Sequence, residues 1–199
     1  MSTTIFLVRH AAHDNVGGYL AGRMTGVRLG ADGRAQARRL AERMGRERID
    51  AVHSSPRERT RETAEAIAGT RGLAVTVDDA LDEVDFGAWS GNDFETLERD
   101  PSWRRWNSAR SLCRTPAGES MLDVEVRVTR LIEALAARHD EGSSVVLVSH
   151  ADVIKAAVCH VLGLGIDAWP RFDVAPASIT TLVIGEWGAK VVTLNEVTP

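Results

Sequence analysis

Short apolar runs alternating with amphipathic segments constrain this chain's fold more than any other feature. Thr4 to Val8 and Ser144 to Val148 are apolar without polar alternation, the pattern of strands buried on both faces. Ala51 to Ser54 and Leu73 to Val77 read as further short strands. Asp32 to Arg48 places Ala37, Leu40, Ala41 and Met44 on one helical face, with Asp32 near its start. Arg57 to Ala68 reads as a helix after the Ser55-Pro56 stop. Glu119 to His139 carries a stripe of Met121, Val124, Val128, Leu131 and Leu135, and Asp152 to Leu162 follows as another helix. Ile179 to Ile184 and Lys190 to Asn195 form a closing hairpin around Gly185-Glu186-Trp187-Gly188. The pattern predicts an α/β fold, a three-layer α/β/α sandwich with a central, largely parallel sheet. With 199 residues and no repeat or linker, it predicts a single domain over 1–199. Asn92 to Thr115 is the least regular stretch; its Trp103 and Trp106 either stack on a substrate or pack in the core.

Charge and composition remove several function classes. The net charge is −4, from 24 basic and 28 acidic residues, which argues against a nucleic-acid partner held by phosphate contacts. Lys155 and Lys190 are the only lysines, so the cations are overwhelmingly arginines, whose planar fork suits phosphate. Genome composition explains most of those arginines equally well. Cys113 and Cys159 make no disulfide framework, and Cys159 sits in an apolar helical run. No apolar stretch approaches the roughly 20 residues that cross a bilayer, and Met1 to Thr4 leads into no cleavable segment. The expected location is the cytoplasm, without a membrane partner.

Ligands of open α/β sheets sit beyond the C-terminal strand ends. Arg9-His10 ends the first strand, Ser54-Ser55 the second, and Ser149-His150 the strand near residue 148. A lone histidine at a strand end is ordinarily structural, but two beside Arg9 point to phosphoryl chemistry. A neutral imidazole is a competent nucleophile, and arginines offset charge on the equatorial oxygens. Pro56 places Arg59 in the first turn of a helix, where amide groups already attract anions. Glu83 lies among Asp82 and Asp85 beside Phe86 and Trp89; mutual repulsion and an apolar wall would raise one carboxyl into the range of a general acid. An acidic surface turn fits that segment equally well.

Leu7-Val8-Arg9-His10 resembles the opening signature of the histidine phosphatase superfamily, in its phosphoglycerate-mutase-like branch 1. Gly22-Arg23, Leu29, Gly33 and Gln36-Ala37 are similar to its next stretch. Ser54-Ser55-Pro56-x-x-Arg59-x-x-x-Thr63-Ala64, Leu81-x-Glu83-x-x-Phe86-Gly87-x-Trp89-x-Gly91, Gly118-Glu119-Ser120 and Val148-Ser149-His150 follow in the family's order. The resemblance implies that His10 is the phosphohistidine nucleophile, that Arg9, Arg59 and His150 surround the phosphoryl group, and that Glu83 protonates the leaving oxygen. Asn15 and the backbone of Ala151 are then candidate phosphate contacts, with neither cofactor nor metal. Ala11 and Ala12 depart from the family's glycine and acidic residue, and Ala151 from its later glycine.

The reading is therefore a metal-independent phosphatase acting on a small phosphorylated metabolite; a homodimer is left open. Phosphoglycerate mutase-type transfer is the rival within the family, disfavoured by the short chain and by Val84-Asp85-Phe86-Gly87 after the acid. A metal-dependent hydrolase would instead use His10, His13, Asp14, His150 and Asp152 as ligands, leaving Arg9 and Arg59 unexplained. A non-catalytic phospho-ligand binder would have no use for Glu83.

Overall fold

The computed structural model describes residues 2–14 and 17–198. Among them, six strands form one sheet: β1 (Ser2–Arg9), β2 (Ala51–Ser54), β3 (Val75–Val77), β4 (Ser144–Ser149), β5 (Ile179–Gly185) and β6 (Gly188–Glu196). Their order is β3-β2-β4-β1-β5-β6. β3, β2, β4 and β1 run parallel, whereas β5 and β6 are the antiparallel closing hairpin. The helices are α1 (Ala31–Met44), α2 (Glu58–Gly69), α3 (Phe94–Arg99), α4 (Pro101–Ser108), α5 (Met121–Arg138) and α6 (Ala151–Val161). None of the described helices is long and apolar enough to cross a membrane.

Side-chain alternation along the central strands builds the two flanking layers. Phe6, Val8, Val146 and Val148 pack with Leu40 and Met44 of α1 and Ala64 and Ile67 of α2. Ile5, Leu7, Val145 and Leu147 face the other way, onto Val124 and Val128 of α5 and Val153 and Ile154 of α6. The three-layer expectation holds, with both faces of β1 and β4 buried as their continuous apolar character requires.

The stretch from Asn92 to Thr115 is more regular than its sequence suggests. Asp93 and Asp100 cap α3 and α4, accepting from the amides of Thr96 (2.6 Å) and Ser102 (2.8 Å). Trp103 and Trp106 are buried in the core against Trp89, with ring centroids 5.3 and 6.2 Å away, so they pack and do not stack on a substrate. α1 ends four residues earlier than its expected Arg48, because Gly45 caps it.

Gly33 fixes how α1 meets the segment after β1. A Cβ there would lie 1.8 Å from the Ala12 carbonyl oxygen, which belongs to backbone and cannot step aside cheaply. Gly33→Ala is expected to cost roughly 1–3 kcal/mol, measured as a lowered urea midpoint with an unchanged denaturant slope.

Candidate active site

Strand register brings the two histidines together. β1 and β4 are neighbours with Arg9 opposite Ser149, and the His10 amide donates to the Ser149 carbonyl at 3.0 Å. The next residue on each chain is therefore a histidine, and the ring centroids lie 5.2 Å apart. β2 is the other neighbour of β4, so Ser54-Ser55 reaches the same edge. The convergence expected from three strand ends is the observed arrangement.

His10 is 4% exposed, and its Nδ1–H donates to the Ala11 carbonyl at 2.8 Å. That bond fixes the tautomer and leaves Nε2 as the unprotonated, accepting nitrogen. The Arg59 Nε–H points at this Nε2 from 3.3 Å. Burial, followed by the charges of Arg59 and Arg9, pushes the His10 pKa well below 6.5 and keeps the ring neutral. His10 is thus deprotonated at neutral pH.

Arg59 stands at the second position of α2, 1% exposed, its Nη2 donating to the Gly22 carbonyl at 2.8 Å. Arg9 Nη1 donates to the Val174 carbonyl at 2.7 Å. Arg9 Nε and Arg59 Nη1 are enclosed without a hydrogen-bond partner among the described residues. Burial lowers both guanidinium pKa values, but arginine stays protonated. Two cations with spare donors face one neutral imidazole.

His150 caps α6 and is fully buried. Arg59 Nη2–H approaches its Nδ1 at 3.2 Å, so Nδ1 accepts and the proton sits on Nε2. Nε2–H then donates to Ser55 Oγ at 2.8 Å, and Ser55 Oγ–H donates to Asp82 Oδ1 at 3.3 Å. Like His10, His150 is held neutral by burial and by Arg59. Ala151 opens α6, where amide groups leave the helix unpaired and attract anions.

Glu83 Oε2 lies 3.5 Å from His150 Nδ1, and Oε1 accepts from the Val84 amide at 3.0 Å. Its pKa is raised to about 7, first by burial and then by Asp152. The expected repulsion from Asp82 and Asp85 is not the cause. Asp82 lies 3.0 Å from Arg57 and 3.4 Å from Arg23, and Asp85 3.8 Å from Arg23, so both are matched by cations. The Glu83 carbonyl accepts from Arg23 (2.8 Å) and Arg127 (3.2 Å), both of which also bind Glu119. This brace explains the Gly118-Glu119-Ser120 lead-in: a Cβ on Gly118 would meet the Asp85 carbonyl at 2.0 Å, and Ser120 caps α5.

Arg9, His10, Arg59 and Glu83 line one cavity of about 140 Å³, with His13, Tyr19 and Phe94 at its walls. A larger groove of about 440 Å³ beside α1 and α2 carries Arg28, Arg34, Glu62 and Glu65 but no histidine. Asn15 lies outside the described residues. His13 and Asp152 do not join a metal cluster: Asp152 pairs with Arg110 at 2.8 Å, and no group of three metal-ligating side chains forms among the described residues. The sequence marks Ser55, Arg23 and Glu119 only as motif letters, and Asp82 only as an acid beside Glu83. The bonds Ser55–Asp82, Ser55–His150 and Arg23–Glu119 span 27 to 96 positions, which spacing cannot reveal.

Ala11 is fully buried, its amide donating to Thr63 Oγ1 at 3.1 Å and its side chain packed among Val8, Leu29 and Ala37. The methyl group that departs from the family's glycine therefore points into core and leaves the cavity open. Ala12 donates its amide to Gln36 Oε1 at 2.9 Å, which accounts for a glutamine in the second motif.

Comparison with known proteins places these motifs. The family model of the histidine phosphatase superfamily (branch 1) matches residues 5–197. Phosphoserine phosphatase 1 of Hydrogenobacter thermophilus is 34% identical over 195 residues, covering 96% of this chain and 91% of that protein. Glucosyl-3-phosphoglycerate phosphatase of Mycobacterium tuberculosis is 30% identical over 192 residues, covering 92% and 86%. A solved structure of the mycobacterial glucosyl-3-phosphoglycerate phosphatase superposes with a TM-score of 0.88 at 28% identity, covering 98% of this chain and 100% of that one. The chain belongs to the histidine phosphatase superfamily, branch 1.

Proposed function

We propose that the protein is a metal-independent phosphatase that hydrolyses a phosphomonoester through a phosphohistidine on His10, with Glu83 as proton donor. One observation carries the reading. The His10 Nε2 lone pair, fixed by the Nδ1–H bond to Ala11, shares a cavity with arginine donors that have no partner.

In the first step His10 Nε2 attacks phosphorus while the bond to the leaving oxygen breaks. Arg9 and Arg59 hold the equatorial oxygens and offset their charge. His150 becomes a donor when the bound ester's monoanion gives its proton to Nδ1 and is left as the dianion, and Asp82 stabilises that imidazolium through Ser55. The Ala151 amide, and Asn15, complete the proposed phosphate contacts. Glu83, protonated at the outset, gives its proton to the leaving oxygen. As a carboxylate it then takes a proton from water, which attacks phosphorus; the N–P bond breaks, phosphate leaves, and His10 and Glu83 return to their starting forms. The arginines supply the charge compensation that a metal supplies elsewhere.

Relatives are named for phosphoserine and for glucosyl-3-phosphoglycerate, and the class extended to this chain is a small phosphorylated metabolite. The assay is phosphate release from a panel of such esters in the presence of a chelator. Metal-independent release supports the reading. Efficient transfer between phosphoglycerates with negligible release would instead make the protein a mutase, and loss of activity on chelation would make it a metalloenzyme.

A further inference from the structure

Three residues that line the 140 Å³ cavity each carry an enclosed nitrogen without a hydrogen-bond partner among the described residues: Arg9 Nε, Arg59 Nη1 and His13 Nδ1. Burying a polar atom without a partner costs free energy, and such atoms mark a place where a ligand completes the bonding. The motifs assign the two arginines to the phosphoryl group. They assign nothing to His13.

His13 is held in place by its surroundings. Its ring stacks on His10 with centroids 6.0 Å apart and planes 30° from parallel. Its backbone bridges Leu29, and the Gly30 amide donates to the Ala12 carbonyl at 3.2 Å. The Ala12 amide is anchored on Gln36 at 2.9 Å. Half-buried beside Arg59 and Arg9, the ring is disposed to be neutral, and neutral imidazole still carries one N–H.

We infer that His13 is a substrate-binding residue, its Nδ1–H donating to a non-bridging oxygen of the phosphoryl group beside Arg9 and Arg59. The inference rests on the reading of this cavity as the phosphoryl site. The atom selects the anion and not the leaving group, so the affected ligand class includes inorganic phosphate itself.

The test compares His13→Ala, His13→Asn and His13→Gln by KM for one phosphomonoester and by competitive inhibition with inorganic phosphate. The Ala variant is expected to weaken phosphate about tenfold and raise KM similarly, with kcat within a few-fold of wild type. Asparagine places an amide nitrogen near the Nδ1 position and restores most of the affinity; glutamine, which mimics Nε2, does not. Wild-type phosphate affinity in an Ala variant of unchanged melting temperature would overturn the inference, as would rescue by glutamine but not asparagine. If the Ala variant melts early, the asparagine–glutamine comparison decides alone. Failure of the underlying reading looks different: wild-type protein would neither release phosphate nor be inhibited by it.

Discussion

His10→Ala is expected to lower phosphate release by about 10⁴-fold or more while leaving the fold intact. The removed group is the attacking atom, and the ring that faces it edge-on has both nitrogens engaged. His150 Nδ1 accepts from Arg59 and its Nε2 is committed to Ser55. The stability effect is small by comparison, because the neutral ring gives up only its bond to the Ala11 carbonyl and the one that it accepts from Arg59 Nε. Steady-state assays beside a thermal melt separate the two: lost turnover with a retained transition is the expected pair. Turnover within tenfold of wild type would remove His10 from the chemistry.

Glu83→Gln is expected to reduce kcat/KM by roughly 10²–10⁴-fold for alkyl phosphates, and far less for aryl phosphates whose leaving group departs without a proton. Its pH behaviour follows from the raised pKa. Glu83 must start protonated, and its pKa of about 7 means that kcat/KM falls as pH rises through 7; the glutamine variant lacks that limb. His10, held neutral well below 6.5, sets no limit until more acidic pH. Stability gives an independent check of the same shift. A carboxyl whose folded pKa is raised from 4.5 to about 7 binds its proton more tightly in the folded state. Its contribution is complete below about 4.5 and is lost as pH rises through 7. The melting temperature of Glu83→Gln relative to wild type should therefore be higher at pH 8 than at pH 5. A difference that does not change with pH would mean that Glu83 titrates normally.

The parts of the fold that announce themselves are those whose local pattern and tertiary role agree. β1 and β4 are apolar on both faces because both faces are buried, and α5 shows its stripe because one side meets the sheet. Arg9, His10 and His150 are legible because strand ends are where α/β sheets present side chains. α3 and α4 are six and eight residues long, too short for periodicity to register, although Asp93 and the Asp100-Pro101 pair are start signals. Of the two causes expected to raise Glu83, burial is the larger one observed, but the repulsion comes from elsewhere: its sequence neighbours are matched by arginines, and the repelling acid, Asp152, lies 69 positions away on α6. The Ser55–Asp82 relay behind His150 and the brace from Arg23, Arg127 and Glu119 are long-range contacts that no spacing rule encodes. His13 is a ligand only in the disfavoured metal reading, where His-x-x-His-Asp fits one in sequence; in space it stacks on His10 and lines the cavity with Arg9 and Arg59.

A covalent phosphoryl group on His10 is detected by mixing the Glu83→Gln variant with an activated aryl phosphate, quenching in alkali, and mapping the label by mass spectrometry. The leaving group needs no proton, so the first step proceeds, while hydrolysis of the intermediate is slowed without its base. The account predicts near-stoichiometric, acid-labile and alkali-stable phosphate on His10; leaving-group release without such a label, or a label on another residue, would contradict it.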